Sequence, residues 1–205
     1  MAIPWKTTGV WDKATVKRYH AAAEWWLRAK VQGGLVRDCA DTAISLLIDF
    51  AAAEGLPVAF RKPAFSPSLV TNETSSVRYP VSGDLFKLHN KERFDRFIRD
   101  YWGAQMLATE GLTLPITREQ ARAGDLCLFD WSDSTHWHTV IVGPRDDDEL
   151  PLWMVMGNLS GGTPTPLELV DRETQRARVK RYFTHPDLYE GGPRRWDFTS
   201  FNAPA

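Results

Sequence analysis

Cys39 opens a helical run, CADTAISLLIDFAAAEG, directly after a loop that carries Gly33 and Gly34. A cysteine in the first turn of a helix lies at the positive end of the helix dipole, among backbone N–H groups with no partner inside the helix. Those groups favour a thiolate, which lowers the thiol pKa, and they can also hold an oxyanion. A thiolate nucleophile works with a base that takes its proton, most often an imidazole. His136 and His138 lie at the start of a β-like run, WHTVIVG, and Asn158 ends the next one, LWMVMGN. A polar side chain on a neighbouring strand can hold the second imidazole nitrogen and set its tautomer and orientation. The chemistry within reach is nucleophilic attack on an acyl carbon.

Each of these residues also has a plainer reading. Buried cysteines are common and mostly inert, and Cys127, within Leu126-Cys127-Leu128-Phe129, reads as core packing. A Cys39–Cys127 disulfide is an alternative that cytoplasmic synthesis disfavours. His136 and His138 share one face of a strand and could hold a metal with Asp130 or Asp133, but no second His or Cys pair completes a ligand set. The reading therefore calls for no metal and no cofactor. GNLSGG lacks the lysine and the strand-to-helix setting of a phosphate loop and reads as a turn. His20, His89 and His185 read as surface or locally bonded residues.

The elements that must position the candidates follow from periodicity. From Asp12 to Val31, Val16, Tyr19, Ala23, Trp26, Leu27 and Lys30 recur at helical steps, and Gly33-Gly34 ends the run. The Cys39 helix has apolar residues on more than one face, which buries it; Asp38 is placed to cap it and Gly55 to stop it. Residues 61–90, rich in Pro, Ser and Thr, read as a long irregular connection. A further amphipathic helix is expected over 91–109, with Phe94, Phe97, Ile98, Tyr101 and Leu107 on one side, and Thr117 with Gln120 forms a capping box. The period then changes: 125–131, 137–143, 152–158 and 177–183 read as strands, with the acidic run at 146–149 as a solvated hairpin tip. Residues 184–205 have no clear period, although Trp196, Phe198 and Phe201 could tie them to the body. Helices first and an antiparallel sheet afterwards make an α+β arrangement.

Composition narrows the classes. The chain has 205 residues, 43% hydrophobic and 25% charged, which is the profile of one globular domain. Lys plus Arg number 25 and Asp plus Glu 26, a balance that argues against a general nucleic-acid binder. Two cysteines are too few for a disulfide framework. The first residues, MAIPWKTTGVWDK, carry no export signal, and the longest apolar stretch, around 43–53, is too short to span a bilayer. The expectation is a protein made soluble in the cytoplasm. Nine Trp and ten Phe stand out. Trp26, Trp131 and Trp137 lie near the candidate residues in sequence, where flat rings could line a cleft for a sugar-peptide polymer.

Taken in order, Gly33-Gly34, Asp38-Cys39, Gly124-Asp125-Leu126, His138 heading Thr139-Val140-Ile141-Val142-Gly143, and a polar residue on the next strand resemble a known family. They look like the NlpC-type cell-wall cysteine peptidases, whose motifs run GG…DCSG, GDLVFF and HVGIY with a third His, Asn or Gln. The resemblance covers roughly residues 33–158. It implies a papain-like α+β fold, with the catalytic cysteine on a buried helix packed on an antiparallel sheet. On that reading 1–205 is a single domain with its core over about 12–183, an insertion at 61–90 and a tail at 184–205. Cys39 would be the nucleophile, His138 the base and Asn158 the orienting residue; His136 competes with His138, which adjoins the apolar run directly. Asp38, Trp26, His136 and Trp137 would contact substrate. The implied activity is hydrolysis of amide bonds in peptidoglycan stem peptides or cross-links through a thioester. The chain departs from the motifs at Ala40-Asp41, where the family has Ser-Gly, and lacks the family's tyrosine upstream of the double glycine. Without an export signal, the chain is similar to amidase toxins delivered by type VI secretion, which act in the periplasm of a target cell and are held in check by an immunity protein. The site chemistry would equally serve a deamidase, acyltransferase or thioesterase, and a non-enzymatic aromatic-rich binding module is the contrasting expectation.

Overall fold

A computed structural model describes residues 2–62, 64–79, 81–130, 137–160 and 163–202, the last two residues of the fourth range by backbone only. The first helix, α1 (Lys13–Gln32), starts where the Asp12 carboxylate accepts the N–H of Thr15 at 2.7 Å, and it buries Tyr19, Ala23, Trp26 and Leu27. Asp38 caps α2 (Cys39–Glu54) in the same way, accepting the N–H of Asp41 at 2.9 Å. The helix stops at Gly55, whose φ of 64° puts it in the left-handed region. Its apolar residues are buried on several sides, as the mixed faces require, between α1, the sheet and a third helix.

The segment expected to be an irregular connection holds two small hairpins. β1 (Ala59–Arg61) pairs with β2 (Leu69–Thr71), and β3 (Ser76–Arg78) pairs with β4 (Leu85–Lys87). Each strand is three residues long, too short to show a period. What holds them is aromatic packing: Phe65, Tyr79 and Phe86 lie against Phe97 and Tyr101 of α3 (Lys91–Tyr101) at ring separations of 5.0–6.3 Å. The single helix expected over 91–109 is broken. Trp102 adopts an extended conformation, Gly103 follows, and α4 (Ala104–Thr109) starts afresh. The break lets Trp102 bury completely against Phe60 and Phe65.

The remaining strands are β5 (Thr113–Pro115), β6 (Leu126–Asp130), β7 (Trp137–Val142), β8 (Trp153–Met156), the short pair β9 (Leu159–Ser160) and β10 (Thr163–Pro164), β11 (Glu168–Asp171), and β12 (Arg194–Trp196). The main sheet has the order β11-β8-β7-β6-β12-β5 and is antiparallel throughout. Its two faces pack differently. Leu126, Leu128, Ile141 and Val155 meet the core of α1 and α2, whereas Cys127, Phe129, Val140, Val142 and Met154 meet the second core beneath α5 (Arg172–Thr184). Residues 177–183, expected as a strand, lie in α5. Ala177, Val179 and Phe183 alternate as a strand would, but Val179 and Phe183 also stand four apart on one helix face, and Asp171 caps the helix through Glu173 and Thr174.

The 146–149 run is a hairpin tip that is also a clamp: Asp146 pairs with Arg172 at 2.6 Å and Asp148 with Arg176 at 2.9 Å, fastening α5 to the β7–β8 turn. Residues 184–202 add β12 inside the main sheet and α6 (Phe198–Asn202), with Trp196, Phe198 and Phe201 buried. No helix of the described residues is long and apolar enough to cross a membrane.

Candidate active site

The site is built where β8 abandons the sheet. β7 and β8 pair from Val142↔Met154 to Val140↔Met156, and the ladder ends there. Gly157 then turns onto the start of α2, so close that a Cβ on it would stand 2.4 Å from the Arg37 carbonyl oxygen and 2.5 Å from that of Asp38. Only a residue without a side chain fits. Along β7, Val142 gives its N–H to Asp125 on the β6 side at 2.8 Å. Alternation then turns the N–H of Thr139 to the opposite edge, where β8 has gone. It is directed at the sulfur of Cys39. The nucleophile candidate thus occupies the vacated edge of the strand that carries His138.

Electrostatics here differ from the sequence expectation of a lowered thiol pKa. Burial pushes the Cys39 thiol up to about 11; the N–H groups of Thr139, Ala40 and Cys39 favour the thiolate, and the Asp38 carboxylate disfavours it. The helix terminus does supply its N–H groups, but enclosure of the sulfur outweighs them. Burial likewise pushes His138 down to about 4, against the pull of Asp38. At neutral pH both groups are therefore uncharged. His138 shares its strand face with Val140 and Val142, and its ring lies 6.2 Å from that of Phe129. Among the described residues, no hydrogen bond joins Cys39 to His138.

The other expected residues are not all brought to this centre. The Asn158 amide donates to Glu168 Oε2 at 3.4 Å, and Glu168 is in turn paired with Arg178 of α5. Asp38 caps α2 and acts electrostatically on both Cys39 and His138. Trp137 is half-buried against Tyr189, with ring centroids 5.2 Å apart. Trp26 is nearly buried; its indole N–H donates to Asp49 at 3.0 Å, and it lines a cavity between α1, α2 and α3 whose lining does not include Cys39. His136 lies outside the described residues, as do Trp131 and Asp133. Among the described residues no three His, Cys, Asp or Glu side chains converge as a metal site would require.

Three features were not anticipated. Gly157 is one. Thr139 is another: its hydroxyl is fully buried and has no partner among the described residues. The third is a polar seam behind α2, where Arg99 joins Asp95 at 3.0 Å and Asp41 at 3.1 Å, and Ser45 donates to Asp95 at 2.7 Å. Burial and the neighbouring Asp38 push Asp41 up to about 6, against the Arg99 charge. Asp41, Ser45 and Asp49 stand four residues apart in a mainly apolar helix, a polar stripe that is legible in the sequence.

Comparison with known protein families, curated proteins and solved structures finds no match for this chain. What the geometry defines is an α+β protein with an antiparallel sheet and a largely buried cysteine where a helix terminus meets a strand edge.

Proposed function

We propose that this protein is a papain-like cysteine hydrolase that cleaves an amide bond, with peptidoglycan stem peptides or cross-links as substrate. The observation that supports the reading is the setting of Cys39, at a helix N-terminus with the N–H of Thr139 directed at its sulfur; His138, the next residue along that strand, lies on the face of Val140 and Val142, so its ring has to swing about the strand edge to reach the thiol. In the reaction His138 takes the thiol proton as the sulfur attacks the carbonyl carbon. The tetrahedral oxyanion is held by backbone N–H groups at the start of α2. The amine leaves with the proton from His138, and water then hydrolyses the thioester. Burial disfavours a lone thiolate and a lone imidazolium, but this proton transfer makes both at once, and their attraction in a low-dielectric site offsets part of that cost. The peptidoglycan substrate rests on the motif order; delivery by a type VI machine and an immunity protein over the site rest only on the likeness to amidase toxins.

A second reading is favoured by the raised thiol pKa and the lack of a Cys39–His138 hydrogen bond: Cys39 as a structural thiol in a binding module. One experiment separates the two. Purified cell wall is incubated with protein and the released fragments are resolved by chromatography. The hydrolase reading requires cleavage that Cys39→Ala and His138→Ala abolish while circular dichroism is unchanged. Cleavage retained by Cys39→Ala overturns the mechanism. No cleavage of cell wall, but a Cys39 adduct with acyl thioesters by intact-protein mass spectrometry, moves the substrate class to acyl transfer.

A further inference from the structure

A cavity of about 330 Å³ opens between α1, α2 and α3, away from Cys39. Its size is at the lower end of small-ligand sites. Five cations line it, Lys30, Arg37, Lys91, Arg96 and Arg99, against three carboxylates, Asp49, Glu92 and Asp95.

The carboxylates are already committed. Asp49 holds Lys91 and receives the Trp26 indole N–H; Asp95 holds Arg99 at 3.0 Å and the Ser45 hydroxyl at 2.7 Å. Glu92 stands 3.9 Å from Lys91. Arg96 turns to Asp100, outside the cavity, at 3.7 Å. Two cations are left short of partners. Arg37 reaches Asp95 only at 4.0 Å, and its Nε is buried without a hydrogen-bond partner among the described residues. Lys30 has no carboxylate within ion-pair distance among the described residues, and its ammonium stands 5.1 Å from the centre of the Trp26 ring. A buried guanidinium nitrogen without an acceptor is costly, and its planar fork matches an oxyanion.

We propose that the cleft between α1, α2 and α3 binds a small oxyanion-bearing ligand, a carboxylate or a phosphate, which Arg37 and Lys30 hold. Arg37 supplies a fork of N–H donors and Lys30 a point charge, while Asp49 and Asp95 hold the remaining wall cations in place. Neither Cys39 nor His138 takes part, so this site stands apart from the hydrolase reading.

The test is calorimetric titration of the intact protein with inorganic phosphate and, separately, with glutarate, both against sodium chloride at matched ionic strength. Saturable binding of phosphate alone, glutarate alone or both supports the site and identifies the anion it takes. Binding no stronger than the chloride control overturns it. Arg37→Gln and Lys30→Gln should each weaken binding about tenfold or more, the loss expected for one charge-assisted hydrogen bond. Arg18→Gln, which removes an exposed ion pair elsewhere on α1, should not. Unchanged binding in both cleft variants overturns the assignment. Should Arg37→Gln fail to fold, Lys30→Gln and Arg37→Lys, which keeps the charge but loses the fork of donors, carry the same test. Cys39→Ala should bind the anion as wild type does, whatever its effect on hydrolysis.

Discussion

Gly157 and Asp38 touch backbone to backbone: a methyl group on the glycine would stand 2.5 Å from the Asp38 carbonyl oxygen. That contact lets α2 begin at the strand edge and brings the Cys39 sulfur to the N–H of Thr139. Gly157→Ala forces the two segments apart. The expected cost is about 1–3 kcal/mol of stability by overpacking. On the hydrolase proposal, cell-wall cleavage should fall further than stability, because the displaced atoms set the position of the Cys39 sulfur. Urea denaturation together with fragment release from cell wall checks both, and a fully active Gly157→Ala protein would refute the positional argument.

A thiol titrating near pH 11 reacts slowly at neutrality. Alkylation of Cys39 by iodoacetamide should be slow at neutral pH, rise about tenfold per pH unit from pH 5 upwards and level off only near pH 11, since only the thiolate reacts. Cys127 is fully buried and should stay unmodified until the protein unfolds. Peptide mapping of the alkylated protein resolves the two sites. A rate that has already levelled off at pH 7 would mean an activated thiolate at rest.

His138 contributes to acid sensitivity with a definite sign. Its folded pKa of about 4 lies below the unfolded value of 6.5, so the unfolded chain takes up the proton first as pH falls. The neutral imidazole's contribution is complete above about pH 6.5 and is lost between there and about pH 4. The size is about 3 kcal/mol by linkage. Asp41, shifted the opposite way, works against this in the same window. The difference between wild type and His138→Gln removes Asp41 from the comparison. Stability curves at pH 7 and pH 4 should therefore converge or cross, with wild type losing more; parallel curves would show that His138 is not buried.

Asp125, fully buried, accepts the N–H of Arg122 at 2.8 Å and pairs with Arg195 of β12 at 2.7 Å. Asp125→Ala strands both donors. A loss of about 3 kcal/mol is expected in thermal or urea unfolding, as when one partner of a buried ion pair is removed. A loss under 1 kcal/mol would show that the pair is replaceable by water.

Much of this arrangement can be read from residue order. Asp12 and Asp38 cap the helices where Ser, Thr, Asp or Asn before an apolar run should, Gly55 stops α2, and Thr117 with Gln120 makes its capping box. β6, β7 and β8 fall where alternation and apolar runs locate them. The illegible parts have physical causes. The hairpins of 59–87 are held by aromatic side chains from α3, a non-local force that leaves no period in three-residue strands. Val179 and Phe183 satisfy both strand and helix spacing, so only the Asp171 cap distinguishes them. At the site, Cys39 and His138 were identified by type and flanking pattern. The depth of their burial, which reverses the expected thiol shift, depends on Gly157 and the departure of β8. Neither is a property of the residues next to Cys39.

β12 joins the main sheet between β6 and β5, and Asn202 exchanges hydrogen bonds with the backbone of Trp11 at 2.8 and 2.9 Å. In a chain growing from its N-terminus, β5 is complete long before its only neighbour in the sheet has been made. Until Arg194–Trp196 emerges, β5 lacks its partner in the sheet and Leu126 of β6 lacks its neighbour, leaving N–H and C=O groups open as a template for pairing with other chains. Truncation before Arg194 would make that transient state permanent: it removes β12 and α6 with the buried Trp196, Phe198 and Phe201, leaving α1 to α5 around an unsealed sheet that is prone to aggregate as well as less stable.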